Sequence, residues 1–214
     1  MGGIKKWKSV KTLKMHGIMK MNGMEFPFKM IKKRPNKLFI SYEVQDMQGM
    51  QVYDGKVGWM VMPFMGIPEP EVMPLEQLKE FIKQADIGGP LINSKEKGYS
   101  IELVGETTIE NSPVIELKMI ESDGQISSIF IDIDTMLEIK TQKKVNQMDT
   151  TWDVITNIGD YKAIEGFMVP HSTASSIPGS TSQQIIEILS LEINPEIDNS
   201  IFIMPVNQVS ELIK

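Results

Sequence analysis

The chain has 214 residues, 41% apolar and 23% charged, the balance of an ordinary globular protein; a chain of that length buries about 70% of its unfolded surface. No apolar run approaches the roughly 18 residues of a spanning helix, and no basic start followed by an apolar stretch marks a secretory leader. Cysteine is absent, which excludes disulfides, cysteine-ligated zinc and thiol nucleophiles but leaves the compartment open.

The net charge of −6 is unevenly placed. Residues 1–37 hold eleven Lys and Arg against one acid, Glu25, giving +10 there and −16 in the remainder. Such a segment suits an anionic partner, a lipid surface or an acidic protein. It better suits a solvated strand face whose lysines block edge pairing. Nucleic acid is not expected, because Arg34 is the only arginine.

The first third alternates with period two, the signature of strands. From Val10 to Asn22 one face carries Leu13, Met15, Met19 and Met21, and the other Thr12, Lys14, His16 and Lys20. Asn22-Gly23 predicts a type I′ hairpin. The return strand sets Met24, Phe26, Phe28 and Met30 opposite Glu25, Lys29 and Lys33, with an edge or bulge at Pro27, which lacks a donor. Pro35-Asn36 turns the chain into Leu38, Ile40, Tyr42 and Val44. Asp54-Gly55 turns it again into an apolar run over Val57–Phe64 that includes Trp59 and Val61.

A loop is expected at Gly66–Met73, then a helix opened by Pro74 at its first position. Leu75, Leu78, Phe81, Ile82 and Ala85 recur at helical spacing to Asp86, and Gly88-Gly89 ends the run. Strand alternation resumes at Tyr99, with Ile115, Leu117 and Met119 sharing a face, as do Ile129, Ile131 and Ile133. Turns fall at Asn111-Ser112-Pro113, Asp123-Gly124, Asp134-Thr135 and Pro178-Gly179, and Asp198–Phe202 reads as a helical turn. Ten or eleven strands and one inserted helix predict a mainly β fold, a barrel or a strongly curved half-barrel.

No catalytic constellation emerges. Asp132 and Asp134 share a strand face, an arrangement a metal or an acid/base pair can use, but a strand-end turn accounts for both. His16 and His171 lie far apart without ligand spacing, and no G-x-S-x-G, P-loop or G-x-G-x-x-G motif occurs. Methionine is the unusual residue: 17 of them outnumber Phe, Trp and Tyr together. Flexible thioethers can line a pocket that adapts to varied apolar cargo, or they can fill a closed core.

Lys33-Arg34-Pro35-Asn36 followed by Leu38-Phe39, then Asp54-Gly55-Lys56, Trp59 and Pro63-Phe64, resemble motifs of the LolA-like family of periplasmic lipoprotein-sorting carriers. Asp132-x-Asp134-Thr135 with Leu137, and Gly166-x-Met168-x-Pro170-His171, are similar to later parts of that pattern; together the matches run from about residue 9 to 205. The resemblance implies a curved, unclosed antiparallel β half-barrel covered by one or more helices, forming a single domain over residues 1–214 with a helical insertion at about 74–94. The first lid helix of the family is expected to be truncated, since strand material begins by Ser9.

The resemblance further implies a non-catalytic carrier of acyl chains or lipoproteins in the periplasm or cell envelope, with no cofactor and no metal. Its apolar cargo is expected against Leu13, Met15, Met19, Met21, Met24, Phe26, Phe28, Met30, Leu38, Ile40, Tyr42, Trp59, Val61, Phe64, Leu78, Phe81 and Ile82. Arg34, whose rigid donor fork suits several lid carbonyls, matches the family's gating position. The alternative is an envelope sensor or scaffold that binds other proteins, through the basic face of Lys11, Lys14 and Lys29.

Overall fold

The structure, a computed structural model, describes residues 3–147 and 150–205. Helix α1 (Ile4–Ser9) precedes β1 (Thr12–Met21), β2 (Met24–Lys33), β3 (Lys37–Val44), β4 (Met47–Tyr53), β5 (Gly58–Met62) and β6 (Ile67–Val72). Helix α2 (Leu75–Ala85) follows. The chain continues through β7 (Ser100–Ile109), β8 (Ser112–Ile120), β9 (Ile126–Asp132), β10 (Glu138–Gln147), β11 (Thr150–Ile164), β12 (Phe167–Ser176) and β13 (Gln183–Ile193). Short 3-10 turns occupy Pro63–Met65 and Asn199–Phe202, the second at the helical turn expected there.

The thirteen strands form one antiparallel sheet, ordered β6-β5-β4-β3-β2-β1-β13-β12-β11-β10-β9-β8-β7. The sheet is unclosed, with β6 and β7 as its edges, and the fold is mainly β as the sequence pattern predicts. Asn22-Gly23, Gln45-Asp46, Glu110-Asn111 and Glu165-Gly166 each place two successive residues at positive φ, the requirement of a type I′ turn. Three of these turns lack the Asn-Gly signal, and the expected count of strands falls short because two of them went unread. The turn after β7 is Glu110-Asn111, so Ser112 and Pro113 already belong to β8.

Three further expectations are corrected. Gly66–Met73 is not a loop: Ile67–Val72 pairs with β5, Trp59 opposite Val72 and Met62 opposite Ile67. Pro68 and Pro70 are tolerated because β6 is an edge strand with only one neighbour. Pro74 stands one residue earlier than expected, as the N-cap of α2. Strand structure begins at Thr12 rather than by Ser9, because Ile4–Ser9 forms the six-residue helix α1.

The described residues pack as two compact units. The first contains residues 10–16, 27–87 and 192–205, and the second residues 3–9, 17–26 and 88–191. In the first, the sheet carries apolar side chains on both faces. Leu38, Ile40, Tyr53, Met60 and Met62 cluster with Met73, Phe81 and Ala85 of the α2 segment. On the opposite face Ile31, Val52 and Trp59 cluster with Phe202, and Ile197 and Ile201 pack against them. Each large side chain so buried contributes about 1.5–3 kcal/mol. The Trp59 indole donates to the Phe202 carbonyl at 3.1 Å, and Lys33 Nζ donates to the Ile197 carbonyl at 2.7 Å, pinning the C-terminal segment to its face.

In the second unit the register opposes Leu117 to Ile129 and Ile115 to Ile131, as the alternation predicts. Phe167, Val169 and His171 are buried along one face of β12. Trp7 of α1 packs edge-on to Phe167 at 4.8 Å between ring centroids, and Lys6 Nζ donates to the Glu165 carbonyl at 2.6 Å.

Candidate functional site

The α2-covered sheet face is built by register. Met30 opposes Ile40, Lys32 opposes Leu38, and Phe28 opposes Tyr42, so these six side chains share one face of β2 and β3. Leu38 then opposes Tyr53, and Ile40 opposes Gln51, which in turn opposes Met60 of β5. Against this surface α2 presents Leu78, Phe81 and Ala85, positions i, i+3 and i+7 of one helical stripe. Its outer side is charged, with Glu76–Lys79 and Glu80–Lys83 pairs at 2.7 and 3.2 Å that add little stability in solvent.

Helix and strand meet at Gly58, where a Cβ would collide with Leu78 Cδ1, so a larger residue there requires the Leu78 side chain to move. Met73 N–H donates to the Gly58 carbonyl at 2.9 Å and fixes the start of the helix. Its far end is held by Lys32, whose Nζ donates to the Asp86 carbonyl at 3.3 Å. Burial pushes the Lys32 ammonium down to about 8, and the Asp86 charge offsets part of that shift. Burial likewise drives the Tyr42 phenol up to about 12; its hydroxyl donates to Gln51 Oε1 at 3.4 Å. The face is therefore apolar with three embedded polar groups, Lys32, Tyr42 and Gln51, and with thioethers from Met30, Met60, Met62 and Met73.

The residues expected to meet cargo divide into four groups. Met30, Leu38, Ile40, Tyr42, Phe64, Leu78 and Phe81 come together in the α2 cluster. Leu13, Met15 and Phe28 are buried in the same unit. Trp59 and Val61 lie on the opposite face with the C-terminal segment, and Ile82 points outward, 38% exposed. Met19, Met21, Met24 and Phe26 belong to the other unit, and Met24 is 51% exposed. The reading of β5 had the wrong parity because its sequence, GWMVM, is apolar throughout and both of its faces are covered. The sequence pattern alone does not single out Met60, Met62, Met73, Tyr53 or Lys32. Pairing Leu38 with Tyr53 across the Gln45-Asp46 turn, and Tyr53 with Gly58 across the Asp54-Gly55 turn, gives the observed parity.

Arg34 Nε donates to the Val10 carbonyl at 2.7 Å and Arg34 N–H to the Lys11 carbonyl at 2.9 Å, tying down the start of β1. Lys32, two residues earlier, bonds the Asp86 carbonyl at the end of α2.

Much of the N-terminal positive charge is spent inside the units. Lys14 pairs with Glu192 at 2.7 Å, and Lys20 with Glu187 at 2.9 Å and Glu25 at 3.6 Å. Lys29 stacks over Phe39 at 5.9 Å. Asp132 Oδ1 accepts from Thr135 N–H at 2.8 Å and Oγ1 at 2.6 Å, bonds that hold its carboxyl below the usual range and make it a turn residue. His16 is exposed, and His171 is buried with Nδ1 2.9 Å from the Val169 carbonyl. Among the described residues no group of three or more His, Asp or Glu is placed to hold a metal, and no helix is long and apolar enough to cross a membrane.

No protein-family model and no curated protein matches the sequence. Solved structures do match. A DUF1329 family protein from Desulfovibrio piger superposes with TM-score 0.66 at 13% identity, over 93% of this chain and 92% of that one. A LolA superfamily protein from Nitrosomonas europaea gives 0.65 at 12% identity, over 94% and 95%. A protein described as an outer membrane lipoprotein-sorting domain, from Vibrio parahaemolyticus, gives 0.62 at 10% identity, over 92% and 93%. Identities this low speak for the fold alone, and with the open antiparallel sheet they establish that the chain has the LolA-like fold.

Proposed function

We propose that this chain is a non-catalytic binder and carrier of acyl chains, free or attached to a lipoprotein, in the bacterial cell envelope. The observation that carries the reading is the α2 cluster, a broad apolar sheet face capped by one eleven-residue helix through three inward side chains and Met73. Lifting a cap of this size exposes a few large side chains at about 1.5–3 kcal/mol each. An entering chain recovers about 0.8 kcal/mol per buried methylene, so a chain of about twelve or more carbons outweighs the cost. Methionines on the face accommodate different chain lengths. The segments that would turn are Met73–Pro74 and Asp86–Gly89, where the backbone leaves the helix. The sorting role in the description of the Vibrio protein is compatible with this reading.

The test exploits the absence of cysteine. Gly58→Cys with Leu78→Cys places two thiols where helix and strand touch, and oxidation locks α2 down. The locked protein is expected to lose binding of a fluorescent long-chain fatty acid and to regain it on reduction. Equal binding in both states would sink the proposal. Native mass spectrometry of protein from its own host would then identify the cargo.

A further inference from the structure

A separate cavity lies in the unit that holds α1. It measures about 160 Å³ and is lined by Ile4, Trp7, Gly88, Leu91 and Ile92, and by a single charged residue, Glu138. The wall formed by α1 is fixed in place, because Trp7 abuts Phe167 and Lys6 is bonded to the Glu165 carbonyl and stacked 4.7 Å over the Phe167 ring. The cavity is a built feature of this unit.

Glu138 reaches the cavity through a β-bulge. Lys140 opposes Phe130 but Glu138 opposes Ile131, so the register slips by one between them. In a regular strand residues 138 and 140 share a face. Since Phe130 and Ile131 point to opposite faces, the extra residue turns Glu138 away from Lys140 and onto the face of Ile131. That face also carries Ile129 and Leu117. Bulges of this kind re-aim single side chains beside binding sites. Tyr161 hydroxyl donates to the Glu138 carbonyl at 2.7 Å and holds the bulged backbone. Burial pushes the Glu138 carboxyl above its usual range. An acid has been moved off a lysine's face and into an apolar pocket, at a cost in desolvation that a ligand's donor group would recover.

We propose that this cavity binds a small apolar molecule, or the end of a larger one, bearing one primary amine or hydroxyl, with the apolar body against Trp7, Leu91 and Ile92 and the donor on Glu138. An apolar cavity of about 150 Å³ accepts a six-membered carbon ring, which sets the size of the body. The site shares no residue with the α2 cluster, so it stands or falls independently of the carrier reading.

The experiment is titration of the full chain with cyclohexylamine, cyclohexanol and cyclohexanecarboxylate, followed by ¹H–¹⁵N NMR. Amine and alcohol are expected to shift the Trp7 indole and the Leu91 and Ile92 amides, with the carboxylate at least about tenfold weaker than the amine. Glu138→Gln is expected to weaken the amine by about tenfold while changing the alcohol by less than about threefold. Ile92→Trp, which fills the cavity, should abolish both. Carboxylate binding as tight as amine, shifts confined to other residues, or undiminished binding in a folded Ile92→Trp protein would each overturn the proposal. The α2-locked variant should bind as the unmodified chain does.

Discussion

Lys32→Met is the perturbation with the clearest sign. In the folded chain the ammonium is pushed from 10.5 down to about 8, so the unfolded chain holds that proton more tightly. At about 1.4 kcal/mol per pK unit, the buried charge costs about 3 kcal/mol wherever both states are protonated, that is below pH 8. As pH rises from about 8 toward 10.5 the folded lysine sheds its proton and the cost disappears, so stability of the unit rises. Methionine fills similar space without charge. It forfeits the hydrogen bond to the Asp86 carbonyl, worth about 1 kcal/mol, leaving a net gain of about 2 kcal/mol at pH 7. The assay is urea unfolding followed by Trp59 fluorescence, with Trp7 and Trp152 changed to Phe so that the signal reports this unit. The wild-type curve should climb between pH 8 and 10, and the variant should lack that climb. Above pH 10 both should fall, because Tyr42, held up at about 12, stays protonated where the unfolded chain ionises. Parallel curves between pH 8 and 10, or a variant less stable at pH 7, would refute the reasoning.

Two further substitutions probe the faces of the same unit. Gly58→Ala drives a methyl into Leu78 and should cost about 1–3 kcal/mol, with hydrogen exchange accelerated along α2 more than in β3 or β4. Trp59→Phe removes the donor to the Phe202 carbonyl, leaving that acceptor buried and unpaired; it should cost about 1–3 kcal/mol and speed proteolysis of the Pro195–Met204 segment.

The fold was legible because its signals are local. Period-two alternation, the Asn22-Gly23 and Asp54-Gly55 turns and the 78–81–85 stripe act over a few residues, and each appears where it was expected. The missed hairpins have a physical reason: at Gln45 and at Glu165 positive φ is imposed by the strands on either side rather than favoured by the residue. Edge strand β6 was obscured by Pro68 and Pro70, which read as a breaker until the absence of an outer neighbour is known.

By itself the sequence determined that this chain makes antiparallel strands with a covering helix and a surplus of thioether on its apolar faces. Tertiary structure alone decided which apolar residues meet. In β5 every side chain is hydrophobic, so only pairing of Leu38 with Tyr53 and of Gln51 with Met60 sends Met60 toward α2 and Trp59 toward Phe202. The same holds for Glu138, where a one-residue slip in register reverses the face. Hydrophobic pattern sets which side chains leave water, but register and sheet faces, fixed by contacts distant in sequence, set what they leave it for.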